Sequence, residues 1–182
     1  MSCVESFEPG EAAGFGAEQY PEVIYGEPLG NGNTQGSTDV LSLGRQGTIT
    51  LGFGGNAIVD GPGVDFIVFE NPFLYGSMGD QVFSELAEVS VSSDGQTWVS
   101  FPCAAESMPP TGCAGHAPVF ANGDLEISAF DPMVSGGDPF DLSTVGLAEV
   151  RFVRIRDIQG AGAAPTAGFD LDAIAIINAK VP

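Results

Sequence analysis

The sequence predicts an all-β chain folded as one antiparallel β-sandwich of about eight to ten short strands. Three observations predict it. Glycine (26 residues) and proline (13) punctuate the chain, so that only short segments can be regular. Between them lie runs of a few residues that alternate apolar and polar or are apolar throughout. There is no long amphipathic helix and no fixed-period repeat.

Residues 1–37 are rich in Gly, Glu and Pro around one apolar run, Val23-Ile24-Tyr25, and are expected to form an extended arm with at most one strand. The β signals of the main unit, 38–182, then begin. Val40-Leu41-Ser42-Leu43 and Thr48-Ile49-Thr50-Leu51 flank Gly44-Arg45-Gln46-Gly47 and predict a hairpin. Ala57-Ile58-Val59 stops at Asp60-Gly61-Pro62-Gly63, a turn sequence. Asp65-Phe66-Ile67-Val68-Phe69-Glu70 is apolar through its centre, as a strand covered on both faces would be.

Glu88-Val89-Ser90-Val91-Ser92 alternates, and Ser93-Asp94-Gly95-Gln96 turns it into Thr97-Trp98-Val99-Ser100-Phe101, a second hairpin with Trp98 as a sheet-covering residue. Residues 102–140 read as loop with a short strand at Leu125-Glu126-Ile127, and Asp141–Val145 as one helical turn. Arg151–Arg156 places Val153 and Ile155 on one face, with Phe152, Arg154 and Arg156 on the other. The last strand, Ala173–Asn178, is apolar on both faces.

Charge narrows the partners. With 24 acidic and 5 basic residues the chain carries a net charge of −19. It therefore lacks the basic face that a nucleic acid or an anionic membrane requires. Divalent cations suit it better, although high acidity also serves solubility alone. No stretch approaches the roughly 20 apolar residues of a membrane span. The opening Met1-Ser2-Cys3-Val4-Glu5 lacks the basic and apolar regions of a secretory leader. Cys103 and Cys113 bound a short loop that a disulfide would close, which points to an oxidising, extracellular or cell-surface location; a metal pair is the alternative reading. Cys3 is left over, as an acylation site or a free thiol.

Catalytic patterns are sparse. His116 is the single histidine, so a Ser-His-Asp or Cys-His arrangement has one candidate base. No nucleophile elbow, HExxH or phosphate loop is present. Paired carboxylates can hydrolyse or cleave glycans, and a carbohydrate-active hydrolase or lyase is the alternative to a non-catalytic module.

Acids at strand ends carry more information. Asp65 and Glu70 bound one apolar strand, Asn71 follows it, and Asp60 precedes it. Asp170 and Asp172 alternate with Phe169 and Leu171 and so face one side. Close carboxylates repel unless a cation or an arginine lies between them. Oxygen donors from carboxylates, amides and Gly-rich loops suit Ca²⁺, so Asp65, Glu70, Asp170 and Asp172, with Asn71 and Asp60, are the expected ligands. Arg151, Arg154 or Arg156 could neutralise the same acids instead.

The segment Val89–Trp98, followed by Arg151-Phe152-Val153-Arg154-Ile155, resembles the galactose-binding-like jelly-roll superfamily and its discoidin branch. Asp170-Leu171-Asp172-Ala173-Ile174-Ala175-Ile176 is similar to the closing strand of related carbohydrate-binding modules, where an aspartate at the position of Asp172 ligates calcium. More closely, residues 4–178 resemble a family of bacterial cell-surface proteins in phrases such as Asp39-Val40-Leu41-Ser42-Leu43-Gly44 and Asn56–Gly63. The resemblance implies a jelly-roll with a structural Ca²⁺ and a ligand held by loops at one end, with a glycan or extracellular matrix polymer as partner. The N-terminal arm and the Cys103–Cys113 loop depart from the discoidin pattern. Phe73, Tyr75 and Tyr20 are loop aromatics that could stack on a sugar or simply pack.

Overall fold

A computed structural model describes residues 3–76, 81–158 and 160–181. The strands in chain order are β1 (Cys3–Glu8), β2 (Leu41–Ser42), β3 (Thr48–Gly52), β4 (Ala57–Val59) and β5 (Phe66–Phe69). Next come β6 (Phe73–Tyr75), β7 (Gln81–Phe83), β8 (Ala87–Ser92), β9 (Val99–Ser100) and β10 (Asp138–Phe140). The last are β11 (Glu149–Val150), β12 (Phe152–Asp157), β13 (Asp170–Leu171), β14 (Ala173–Ile176) and β15 (Ala179–Lys180).

Every pairing is antiparallel. The largest sheet runs β1-β3-β12-β8-β9; smaller sheets run β10-β5-β14, β11-β4-β15, β13-β2 and β6-β7. Alternation decides what each strand buries. Ile49, Leu51, Val89, Val91, Val153 and Ile155 point from the five-stranded sheet into the main core, where they meet Phe66 and Val68 of β5 and Phe140 of β10. The Phe66 and Phe140 rings stack at 5.1 Å, and Phe101 meets Phe140 edge-on at 4.9 Å. The alternate residues of β5, Ile67 and Phe69, point the other way with Ala173 and Ala175 of β14, beneath Val119, Ala121 and Ala129. Strand β5 is therefore buried on both faces, as its unbroken apolar run predicts. Pro139 sits in β10, an edge strand of its sheet, where a missing amide donor costs least.

Several expectations need correction. β2 and β3 do not form a hairpin: β2 pairs with β13 and β3 with β1 and β12, because Gly44 and Gln46 at positive φ redirect the chain between sheets. Residues 22–24 form a 3₁₀ turn, and the arm's strand is β1, paired with β3. Leu125-Glu126-Ile127 is not a strand; Asn122 caps a 3₁₀ turn over Gly123–Leu125, and Glu126 is left-handed.

The second hairpin forms as β8–β9, with the Asp94 carboxylate accepting from the Gln96 and Thr97 amides and Gly95 at φ +73°. Residues 142–145 form the expected turn, capped by Asp141. Cys103 and Cys113 are joined by a disulfide, so the metal reading of that pair falls; Cys3 is free and exposed. Among the described residues no helix is long and apolar enough to cross a membrane.

Candidate metal centre

Three chain segments meet at one end of β5. Glu70 follows β5 directly, Glu85 stands two residues before β8, and Asp170 opens β13. One carboxylate oxygen from each lies within 4.8 Å of the others. All three are shielded from solvent, with exposures of 1%, 1% and 6%. Register produces the convergence. β14 pairs with β5 so that Ala173 faces Phe69, and β13 pairs with β2 so that Asp170 faces Ser42.

The hydrogen bonding around the trio is incomplete. The Ser42 hydroxyl donates to Asp170 Oδ1, and Asn71 Nδ2 reaches Asp170 Oδ2 at 3.5 Å. Both carboxylate oxygens of Glu70, Oε1 of Glu85 and Oδ1 of Asn71 are buried without a hydrogen-bond partner. Buried acceptors left unpaired in this way cost free energy unless a positive charge meets them.

No lysine or arginine of the chain does so. Arg45 pairs with Glu11, Arg151 and Lys180 with Glu149, and Arg156 with Glu88. Arg154 lies over the Trp98 ring at 3.7 Å and donates to Thr50. These five are all the lysines and arginines of the sequence. The arginines expected as possible neutralisers stand away from the acids they were to neutralise.

Protonation shows the strain. Burial, followed by the charge of Asp170, drives the Glu70 carboxyl well above the usual carboxylate range, against a weaker pull from the Asn71 backbone amide. Burial, then Asp170 and Asp157, pushes Glu85 up to about 8. Burial pushes Asp170 up to about 6, against the opposing Ser42 and Asn71 hydrogen bonds. The donors are hard oxygens alone, and a divalent cation among them would replace protons and satisfy the unpaired acceptors together.

The expected ligands separate into three places. Asp65 lies at the opposite end of β5 from Glu70 and clusters with Asp60 and Asp141. Its Oδ1 accepts from the Gly61 amide and Asn178 Nδ2, each at 2.8 Å, and its Oδ2 from the Leu142 amide at 2.7 Å. Asp60 is exposed, and Asp141 caps its own 3₁₀ turn.

Asp172 faces the arm. Burial first, then the charge of Asp39, pushes its carboxyl up to about 8 against hydrogen bonds from Leu29 and Ser37, and its Oδ2 is buried without a partner. Asn71 joins the two neighbourhoods, since its Nδ2 also donates to the Ser37 carbonyl at 3.1 Å. Glu85 was not among the expected ligands. Its signal was faint: one acid between Phe83 and Leu86, where an apolar residue would ordinarily begin a buried strand.

Phe73 and Tyr75 lie on β6, which pairs with β7 next to the trio, and Tyr20 packs against Phe7 at 5.3 Å. His116 donates its backbone amide to Asp138, whose carboxylate also accepts from Gly115 and Ala117.

Among known protein families, curated proteins and solved structures, none matches this chain. The likeness to galactose-binding-like and cell-surface proteins therefore rests on the quoted motif residues alone. The structure itself carries an all-β chain of several packed antiparallel sheets with buried acidic clusters able to chelate a metal ion.

Proposed function

We propose that this chain is a non-catalytic, calcium-binding β-sandwich module of the secreted or cell-surface kind, used for attachment to a glycan or matrix polymer. Glu70, Glu85 and Asp170 supply the carboxylates and Asn71 Oδ1 a neutral oxygen. The observation that carries this is the pair of buried, unpartnered oxygens on Glu70, facing two further acids with no Lys or Arg among them. Calcium fits better than magnesium because the donors come from irregular segments and can meet a larger, less demanding coordination shell. The glycan partner and the jelly-roll identity follow from the motif resemblance, and the disulfide is in keeping with an oxidising compartment.

Hydrolysis by paired carboxylates requires acids that a glycan can reach. The closed setting of this trio supports binding instead. Thermal unfolding in calcium against EDTA tests the ion, because a ligand of the folded state raises the midpoint. Incubation with polysaccharides, read for new reducing ends, tests the absence of turnover.

A further inference from the structure

We propose that the cation fixes the placement of the β6–β7 pair, making the aromatic surface on that pair dependent on the ion. The inference rests on the cation reading above and concerns what the ion does to the chain. The covalent path supplies the reason. The chain leaves the cluster at Glu70 and Asn71, forms β6 (Phe73–Tyr75), returns as β7 (Gln81–Phe83) and re-enters the cluster at Glu85. Both stems of one excursion therefore carry ligands to the same ion.

Strands β6 and β7 hydrogen-bond as a two-stranded sheet of their own, with Phe73 opposite Phe83, Leu74 opposite Val82 and Tyr75 opposite Gln81. A two-stranded ribbon is marginal in water unless something else anchors it. The Leu74 amide bonds to the Asn33 carbonyl at 2.6 Å, which ties β6 to the arm. The Phe73 and Phe83 rings stack at 5.1 Å, while Tyr75 and Phe83 remain 47% and 40% exposed. Without an ion, no hydrogen bond joins the Glu70 and Glu85 side chains, and the two stems have no link to each other there. With one, the stems are joined through the metal, and the open states of the excursion lose entropy as they would under a cross-link.

Residue-resolved amide hydrogen exchange on the full chain, in EDTA and in excess calcium, tests this, with calorimetric calcium binding measured on the same samples. Protection of the Leu74, Tyr75, Val82 and Phe83 amides should rise at least about tenfold with calcium, as expected when local opening is suppressed. Glu85→Gln should lose calorimetric binding and keep those amides unprotected in both buffers, while Val91 and Val153 retain their protection and show the variant folded. Calcium binding with unchanged β6–β7 exchange overturns the coupling and leaves the ion site standing. Protection that rises with calcium even in Glu85→Gln also overturns it. Absence of calorimetric binding to the unmodified protein removes the ion and the coupling together.

Discussion

Asp65 and Glu70 bracket the same strand, β5, and their carboxylates are in opposite states: that of Asp65 accepts three hydrogen bonds, and neither oxygen of Glu70 meets a donor at hydrogen-bond geometry. The strand between them rises about 3.3 Å per residue, so side chains five positions apart stand roughly 16 Å from each other. One ion cannot bind both.

The contrast yields a first prediction. Asp65→Ala would strand the Gly61 and Leu142 amides and the Asn178 side chain, and should cost about 2–4 kcal/mol of stability. The shift in unfolding midpoint caused by calcium should be unchanged in that variant. Denaturant unfolding with and without calcium checks both parts.

Glu85→Gln and Asp170→Asn remove charge from the trio with little change of shape. Calcium at a hundred times its Kd should stabilise the unmodified protein by about 2.7 kcal/mol. For a chain of this length that is a midpoint rise of roughly 5–10 °C. Either substitution should reduce the rise to near zero while the fold persists in EDTA, since a neutral group suits the buried site without an ion. Scanning calorimetry of the three proteins in both buffers gives the answer.

The elevated carboxyls set a pH dependence with a definite sign. In EDTA the folded chain holds protons on Glu85 to about pH 8 and on Asp170 to about pH 6, whereas an unfolded chain releases them near 4. The folded state binds more protons throughout that window, so their stabilising contribution is complete below about pH 4 and is lost as pH rises toward 8. Calcium competes with those protons, so its affinity should increase over the same range and flatten the decline. Unfolding midpoints from pH 4 to 9 in each buffer test this; stability in EDTA that climbs between pH 5 and 8 would contradict it.

Reduction of the Cys103–Cys113 bond, or Cys103→Ser with Cys113→Ser, should cost about 2–3 kcal/mol through the freed loop. The calcium response should survive, because neither cysteine belongs to the trio. Chemical denaturation of oxidised and reduced protein measures it.

Much of the fold was legible because period-two burial speaks locally: Val153 and Ile155 inward, Arg154 and Arg156 outward, and β5 apolar on both faces. The relation of β2 to β3 was not legible, since Gly44–Gly47 spells a turn equally well whether the strands pair or part. The site was legible in half. Acids at strand ends drew attention to Glu70 and Asp170, yet which acids meet depends on sheet pairing that no local pattern encodes. Glu85 approaches from a loop before β8 and looks, in sequence, like any of the 24 acids. Strand rise alone separates Asp65 from Glu70, yet the expected ligand set grouped the two at one site.

Crystals grown in calcium and measured for anomalous scattering bear most directly on the ion. A peak at about 2.3–2.6 Å from oxygens of Glu70, Glu85 and Asp170 is the predicted result. A map without density there, with protons or water satisfying those oxygens, would contradict it.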